Sequence, residues 1–346
     1  MPFVIFAPLL LLPFGPDSDN VTFYNVLEKK VFSLPLLDVC RKVLCGSSCG
    51  WLTLMDEFAS VMLLNPFTIA CIELPLVDEH VVMASSLVHV SRVDSRWLLH
   101  PNSHGIADTA SAIMLDLMRQ VFFNKIVLSR SPDSNDRMCV AMAMLARSTE
   151  VAFYQVGVNS VWKLFDTCLE CFVVFVVHYK DMFLAIDSTR EIFICSSIAA
   201  SATLIAKPMP SLSPPTLKVS HKTRRFIYRI LIYKCNLLDP RPKWRRVNDV
   251  SDWTLFVSEH FIDSFSGTSI FKYKRNKIYF SEPLYGDEYD LSYRLETIDI
   301  ATDTSKVTAL HQKLQGSQAQ GWFLPNQWQR GATEAEALLS ATFVTI

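Results

Sequence analysis

Five consecutive residues, Gly46-Ser47-Ser48-Cys49-Gly50, fit the spacing G-x-S-x-G, in which a serine on a strained turn acts as a nucleophile. That chemistry needs a strand before the serine and a helix after it. Here Trp51-Leu52-Thr53-Leu54 follows, a strand-like run, so the segment reads as a turn entering an inner strand. Cys168-Leu169-Glu170-Cys171 has the C-x-x-C spacing of half a zinc site. Zinc takes four ligands, and no second pair or closely spaced His pair completes this one. A redox role for the two thiols needs a βαβ context that is absent. The eight His are scattered. Asp187, Asp239 and Asp299 stand in turn-like contexts, where a carboxylate accepts backbone N–H groups, rather than in a catalytic pair. The acidic run Tyr285-Gly286-Asp287-Glu288-Tyr289-Asp290 lacks calcium-loop spacing and reads as a solvated loop. No catalytic residue, metal or cofactor is expected.

Two stretches are basic: Lys218 to Arg229 (KVSHKTRRFIYR) and Arg241 to Arg246 (RPKWRR). Interleaved aromatics suggest base stacking. Against this, RFIYRILIYK alternates as a half-wet strand does, and the formal net charge of the whole chain is −1. Nucleic-acid binding is therefore not expected.

The elements that must position any site are strands. Hydrophobic residues make up 50% of the 346 and charged residues 19%, enough for a large core. Short apolar or alternating runs, separated by Pro, Asn, Asp and Ser, point to an all-β chain. One hairpin-like unit recurs at 23–35, 63–75, 154–165, 185–197, 234–247 and 297–310. A second, single-strand unit starts at 50 (GWLTLMDE), 139 (CVAMAMLA), 181 (DMFLAIDS) and 276 (NKIYFSEP). The spacing implies a repeat of about 45 residues, the length of a four-stranded propeller blade. Six or seven blades are expected, since 76–138 has room for one more.

Pro208, Pro210, Pro214 and Pro215 mark 206–222 as a loop or a shortened blade. The tail 331–346, with ATEAEALLSA, reads as a short helix or disordered appendage outside a propeller domain covering 1–330. Met1 to Phe14 is apolar, but two prolines interrupt it. It has no basic start and is too short to span a bilayer. A first buried strand is the better reading, despite an N-x-T sequon at Asn20. Nine Cys at irregular spacing argue for reduced thiols and a cytoplasmic or nuclear protein, with no membrane association.

The run Gly46, Ser47, Gly50, Trp51, Leu52, then Leu64, Asn65, Pro66, Phe67, Thr68, then Leu74 and Pro75, resembles the plant KIB-type F-box-associated propeller family. VFSLPL (31–36), FLAIDSTREI (183–192), KIYFSE (277–282) and RLETIDI (294–300) follow in matching order. The resemblance spans roughly 5–330. It implies a non-enzymatic module that binds an unidentified protein on the propeller rim, as in substrate selection for a ubiquitin ligase.

Family members commonly carry an N-terminal F-box that binds a Skp1-type adaptor. This sequence starts at the propeller, so adaptor binding is not expected of it. Glycine is scarce, 10 of 346, against a usual ~7%. Ile69, Arg190 and Arg275 stand where turn glycines belong, and the strand pair before RFIYRILIYKC is shortened. A degenerate, non-functional copy is one alternative. A secreted or organellar propeller hydrolase is the other.

Overall fold

A computed structural model describes residues 8–12, 14, 17–36, 39–77, 81, 89–94, 96–100, 110–132, 138–146, 148–165, 169–179, 182–196, 201–207, 231–236, 241–250, 253–258, 262–266, 273–284, 292–302, 304–310, 321–323 and 340–345. Almost all of the regular structure among them is strand, in seven open sheets.

The first sheet orders Gly321–Phe323, Leu9–Leu11, Asn20–Asn25 and Lys30–Pro35. It therefore draws strands from both ends of the chain. The second is a plain antiparallel meander of Lys42–Ser48, Trp51–Asp56, Val61–Asn65 and Ala70–Glu73. The fourth (Phe123–Leu128, Val140–Leu145, Val151–Gln155, Lys163–Leu164) and fifth (Val173–Tyr179, Met182–Asp187, Ile192–Ser196, Ser201–Ala206) repeat that order. Three-stranded His89–Val93, Arg96–His100 and Ser111–Ala112 make the third. The sixth holds Trp244–Val247, Leu231–Asn236 and Ser340–Thr345. The seventh has five strands: Ile262–Ser266, Trp253–Ser258, Lys277–Leu284, Ser292–Asp299 and Thr304–Leu310. Its Trp253–Ser258 and Lys277–Leu284 run parallel.

The apolar runs follow from how these sheets pack. Successive side chains of a strand point to opposite faces, and here each face meets a different neighbour. Leu9 and Leu11 pack with the second sheet, whereas Leu10 and Leu12 pack with the seventh. Ala141, Ala143 and Leu145 face the second and third sheets; Met142 and Met144 face the fifth. Phe183 and Ala185 face the fourth, Leu184 and Ile186 the sixth. A last cluster joins Ile232 of the sixth to Leu255, Val257, Ile278 and Phe280 of the seventh. Such strands read as continuous hydrophobic stretches because neither face is wet. A one-residue slip exchanges the two neighbours' contacts along the whole strand.

Six clusters thus link the sheets in a cycle: first, second, fourth, fifth, sixth, seventh and back to the first. Among the described residues, the expected choice between six and seven blades resolves as six blades plus an added sheet. Residues 76–138 do hold strands, but Lys42–Ser48 of the second sheet lies directly against Phe123–Leu128 of the fourth. The third sheet does not separate them. It is fastened beside them through Trp97, whose ring meets Phe122 and whose Nε1–H donates to the Phe58 carbonyl.

The sixth sheet has three strands among the described residues. Among the described residues its own stretch supplies two strands, and the third is Ser340–Thr345, paired residue for residue from Leu231↔Thr345 to Asn236↔Ser340. The C-terminal residues expected as a helix or disordered appendage are, over 340–345, a strand inside a blade. Residues 331–339 and 208–230 lie outside the described part.

Candidate functional site

The motif residues come together in the second sheet. Cys49 and Gly50 form a two-residue hairpin turn, both with positive φ (56° and 78°), as the twist of paired strands favours. Strands flank this turn on both sides, so no nucleophile elbow exists here. The serine at the nucleophile position, Ser48, spends its Oγ on a backbone N–H of the neighbouring sheet instead.

What the segment does is join blades. Ser48 Oγ accepts the Leu128 N–H at 2.9 Å, and the Trp51 Nε1–H donates to Ser131 Oγ at 3.0 Å. The Cys49 thiol points at the Leu128 carbonyl at 3.6 Å. At Gly46 the strands approach so closely that a Cβ would lie 2.2 Å from the Ile126 carbonyl oxygen. Leu52 and Leu64 pack toward the first sheet, Trp51 and Leu74 toward the fourth.

The second half of the motif builds a turn. Asn65 Oδ1 accepts the N–H groups of Phe67 (3.0 Å) and Thr68 (3.1 Å), while its carbonyl accepts the Ile69 N–H (2.9 Å). Pro66 is buried beneath it. Ile69 has φ 60°, in the left-handed region that glycine occupies cheaply. Past the last strand, the Pro75 carbonyl accepts the Trp162 Nε1–H at 3.0 Å, a second tie to the fourth sheet.

Asn25, Asp187 and Asp299 head similar turns. Asp187 and Asp299 therefore hold backbone, as their contexts indicate; Asp239 lies outside the described residues. Asp299 also pairs with Lys277 at 2.6 Å, which holds its carboxyl below the usual range. Arg190 has φ 73°, as expected of a residue in a glycine position. The third expected position is off by one: Asn276, not Arg275, carries the positive φ of 55°. Asparagine tolerates that conformation better than most residues, which is why the site was misread.

Buried thiols are held away from reactivity. Burial pushes Cys45 and Cys195 up to about 12 and Cys139 up to about 11. Trp97 is buried at 2% exposure, so it is core rather than a contact surface; Trp253 is half-buried. Cys168, the acidic run 285–290 and the basic stretch 218–229 lie outside the described residues. Among the described residues no group of three potential ligands converges on one point, and no helix is long and apolar enough to cross a membrane.

Apolar side chains surface instead at turn tips. Phe67 (38% exposed) and Ile69 (64%) crown the turn between the third and fourth strands of the second sheet. Val158 (55%) crowns the corresponding turn of the fourth. Phe67 rests on Phe23 and Phe323, with ring centroids 6.1 and 5.6 Å away, so the tip is seated on the seam between the first two sheets. The L-N-P-F-T motif marks this turn in the sequence; its exposure was not legible there.

Open antiparallel sheets packed face to face in a cycle, with strands from both chain ends in one sheet, define a β-propeller. The model of the KIB1-4 beta-propeller family matches residues 23–305. The chain belongs to that family. None of the curated proteins compared with it matches. Among solved structures it is similar to dihydro-heme d1 dehydrogenase NirN in complex with DHE (10% identity, TM-score 0.37, covering 93% of this chain and 76% of that one). It is also similar to the WD40 domain of SCAP from fission yeast (9%, TM-score 0.31, 89% and 86%) and to the computationally designed Ika8 protein (11%, 0.30, 91% and 89%).

Proposed function

We propose that the chain is a non-enzymatic protein-recognition module that meets its partner at the rim carrying Phe67, Ile69 and Val158. The observation that carries this reading is a division of labour. The motif's polar groups are spent on blade-to-blade ties and turns, while apolar side chains stand exposed at the turn tips of neighbouring blades. Rigid blades beneath exposed loops suit recognition, and exposed aromatics in such places carry much of an interface's energy. The partner is a substrate protein of a ubiquitin ligase. Thiols that carry no disulfide, such as Cys40, Cys45 and Cys171, favour a reducing cytoplasm or nucleus.

Photo-crosslinking residues placed at Phe67 or Val158 should join the chain to a discrete protein in cells, while a probe at Val31, on the outer strand of the first sheet, should not. Equal labelling from all three positions, or none from the first two, would overturn the reading.

A further inference from the structure

We propose that the outer edge of the sixth blade, Trp244–Val247, is a docking edge for an acidic, extended peptide segment of the protein partner. The inference rests on the recognition reading and names a second contact beyond the rim turns.

The edge has two properties that belong together. Among the described residues Trp244–Val247 ends its sheet, with Leu231–Asn236 on one side and no strand on the other. Its outward N–H and C=O groups therefore form a template for another strand. It also carries an exceptional charge. Arg241, Lys243, Arg245 and Arg246 are all exposed within seven residues.

Cations on an edge strand commonly serve only to discourage aggregation, but that purpose applies to every blade, and the other outer strands are not built so. Counted over the strands alone, Trp244–Val247 holds two cations, Lys30–Pro35, Lys163–Leu164 and Thr304–Leu310 hold one each, and Ala70–Glu73 and Ser201–Ala206 hold none.

The same geometry argues against nucleic acid. Stacking on bases needs an exposed ring. Trp244, the aromatic inside the basic run, is 7% exposed, and its Nε1–H donates to the Arg190 carbonyl at 3.0 Å. It anchors the edge to the fifth blade and leaves the cations to face outward on a rigid strand. Arg245 and Arg246 point to opposite faces of the sheet, as neighbours on a strand must. An added strand therefore satisfies both with two successive acidic residues, each about 5 Å across from its arginine. Strand addition supplies the affinity through main-chain bonds, and the acid pair supplies the choice of partner.

The test is fluorescence-anisotropy titration of the full chain with four probes. These are a ten-residue peptide alternating Glu-Glu with Val-Thr, the same peptide with every Val replaced by Pro, its Lys-Lys counterpart, and a ten-nucleotide single-stranded RNA. The first should bind, and Arg245→Gln/Arg246→Gln should weaken it about tenfold. The proline peptide should bind at least tenfold more weakly, having lost main-chain donors. Equal binding of the proline peptide leaves a nonspecific charge effect and overturns strand addition. Tighter binding of RNA replaces the peptide by nucleic acid. No binding of the acidic peptide removes this edge, while crosslinks from Phe67 and Val158 would still uphold the recognition module. Blank crosslinks with a bound peptide would do the reverse.

Discussion

Gly46→Ala probes the joint on which the second and fourth blades meet. The added Cβ would sit 2.2 Å from the Ile126 carbonyl oxygen, where contacts under 3.0 Å are essentially never found. The obstacle is backbone on a neighbouring inner strand, so no side chain can swing aside; the strands must part by about 1 Å. A gap of that size forfeits a quarter to a half of each dispersion contact across it, and overpacking of this kind costs about 1–3 kcal/mol. The alanine gives back about 0.5–1 kcal/mol by restricting the unfolded chain. The Ser48 Oγ to Leu128 N–H bond at the same joint stretches as well, adding about 1 kcal/mol.

The net expectation is a loss of about 2–3 kcal/mol. Gly157→Ala is the matched control. Gly157 has φ +77° and nothing within 4 Å of an added Cβ, so it meets only the conformational cost of about 1 kcal/mol. Urea unfolding followed by tryptophan fluorescence reports both. Gly46→Ala should unfold at clearly lower urea than Gly157→Ala. If the order reverses, or Gly46→Ala matches the parent within 0.5 kcal/mol, then the two inner strands do not touch, and the six-blade cycle is wrong at this joint.

Three further outcomes follow from other parts of the fold. Ile69→Gly and Arg190→Gly should each stabilise by about 1 kcal/mol by relieving left-handed backbone, whereas Arg275→Gly should not, because its neighbour Asn276 carries the strain; melting curves separate them. Burial raises the Cys45 and Cys195 thiols from 9.0 to about 12. The unfolded chain therefore loses protons first as pH rises, so their contribution is complete below pH 9 and declines between 9 and about 12. Replacing both by alanine should flatten that decline in a pH series of urea midpoints. Deleting residues 340–346 removes one of the two strands paired with Leu231–Asn236, and amide hydrogen exchange should speed up in that strand while the second blade stays protected.

The features that sequence reading recovered are those with a local cause. The single-strand unit starting at 50, 139, 181 and 276 corresponds to one strand in each of four sheets: Trp51–Asp56, Val140–Leu145, Met182–Asp187 and Lys277–Leu284. All four have a mainly apolar, buried middle, because each is sandwiched between two neighbours. The hairpin unit was read less evenly. Five of its copies span an outer pair of strands, but 185–197 spans the inner pair Met182–Asp187 and Ile192–Ser196. The confusion has a physical source: Asp187 and Asn65 cap turns by the same side-chain acceptance of backbone N–H groups, so the two kinds of hairpin look alike in sequence.

Non-local pairing explains the rest. Nothing between 331 and 346 tells that Ser340–Thr345 will lie beside Leu231–Asn236, more than a hundred residues earlier, since six residues of S-A-T-F-V-T carry β-propensity but no address. The address is the vacancy. Without Ser340–Thr345 the facing edge of Leu231–Asn236 loses its ladder, and an unpaired edge inside the protein costs about 1–3 kcal/mol per unsatisfied group. Any β-prone segment within reach lowers that cost, and the C-terminus is one. The strand edge of Leu231–Asn236 and the tail that covers it are therefore complementary, and the dependence of one on the other is testable. Inserting the fifth blade's first two strands before Leu231 should make residues 340–346 dispensable. A tail still required for stability after that insertion would show that it holds its place for some other reason.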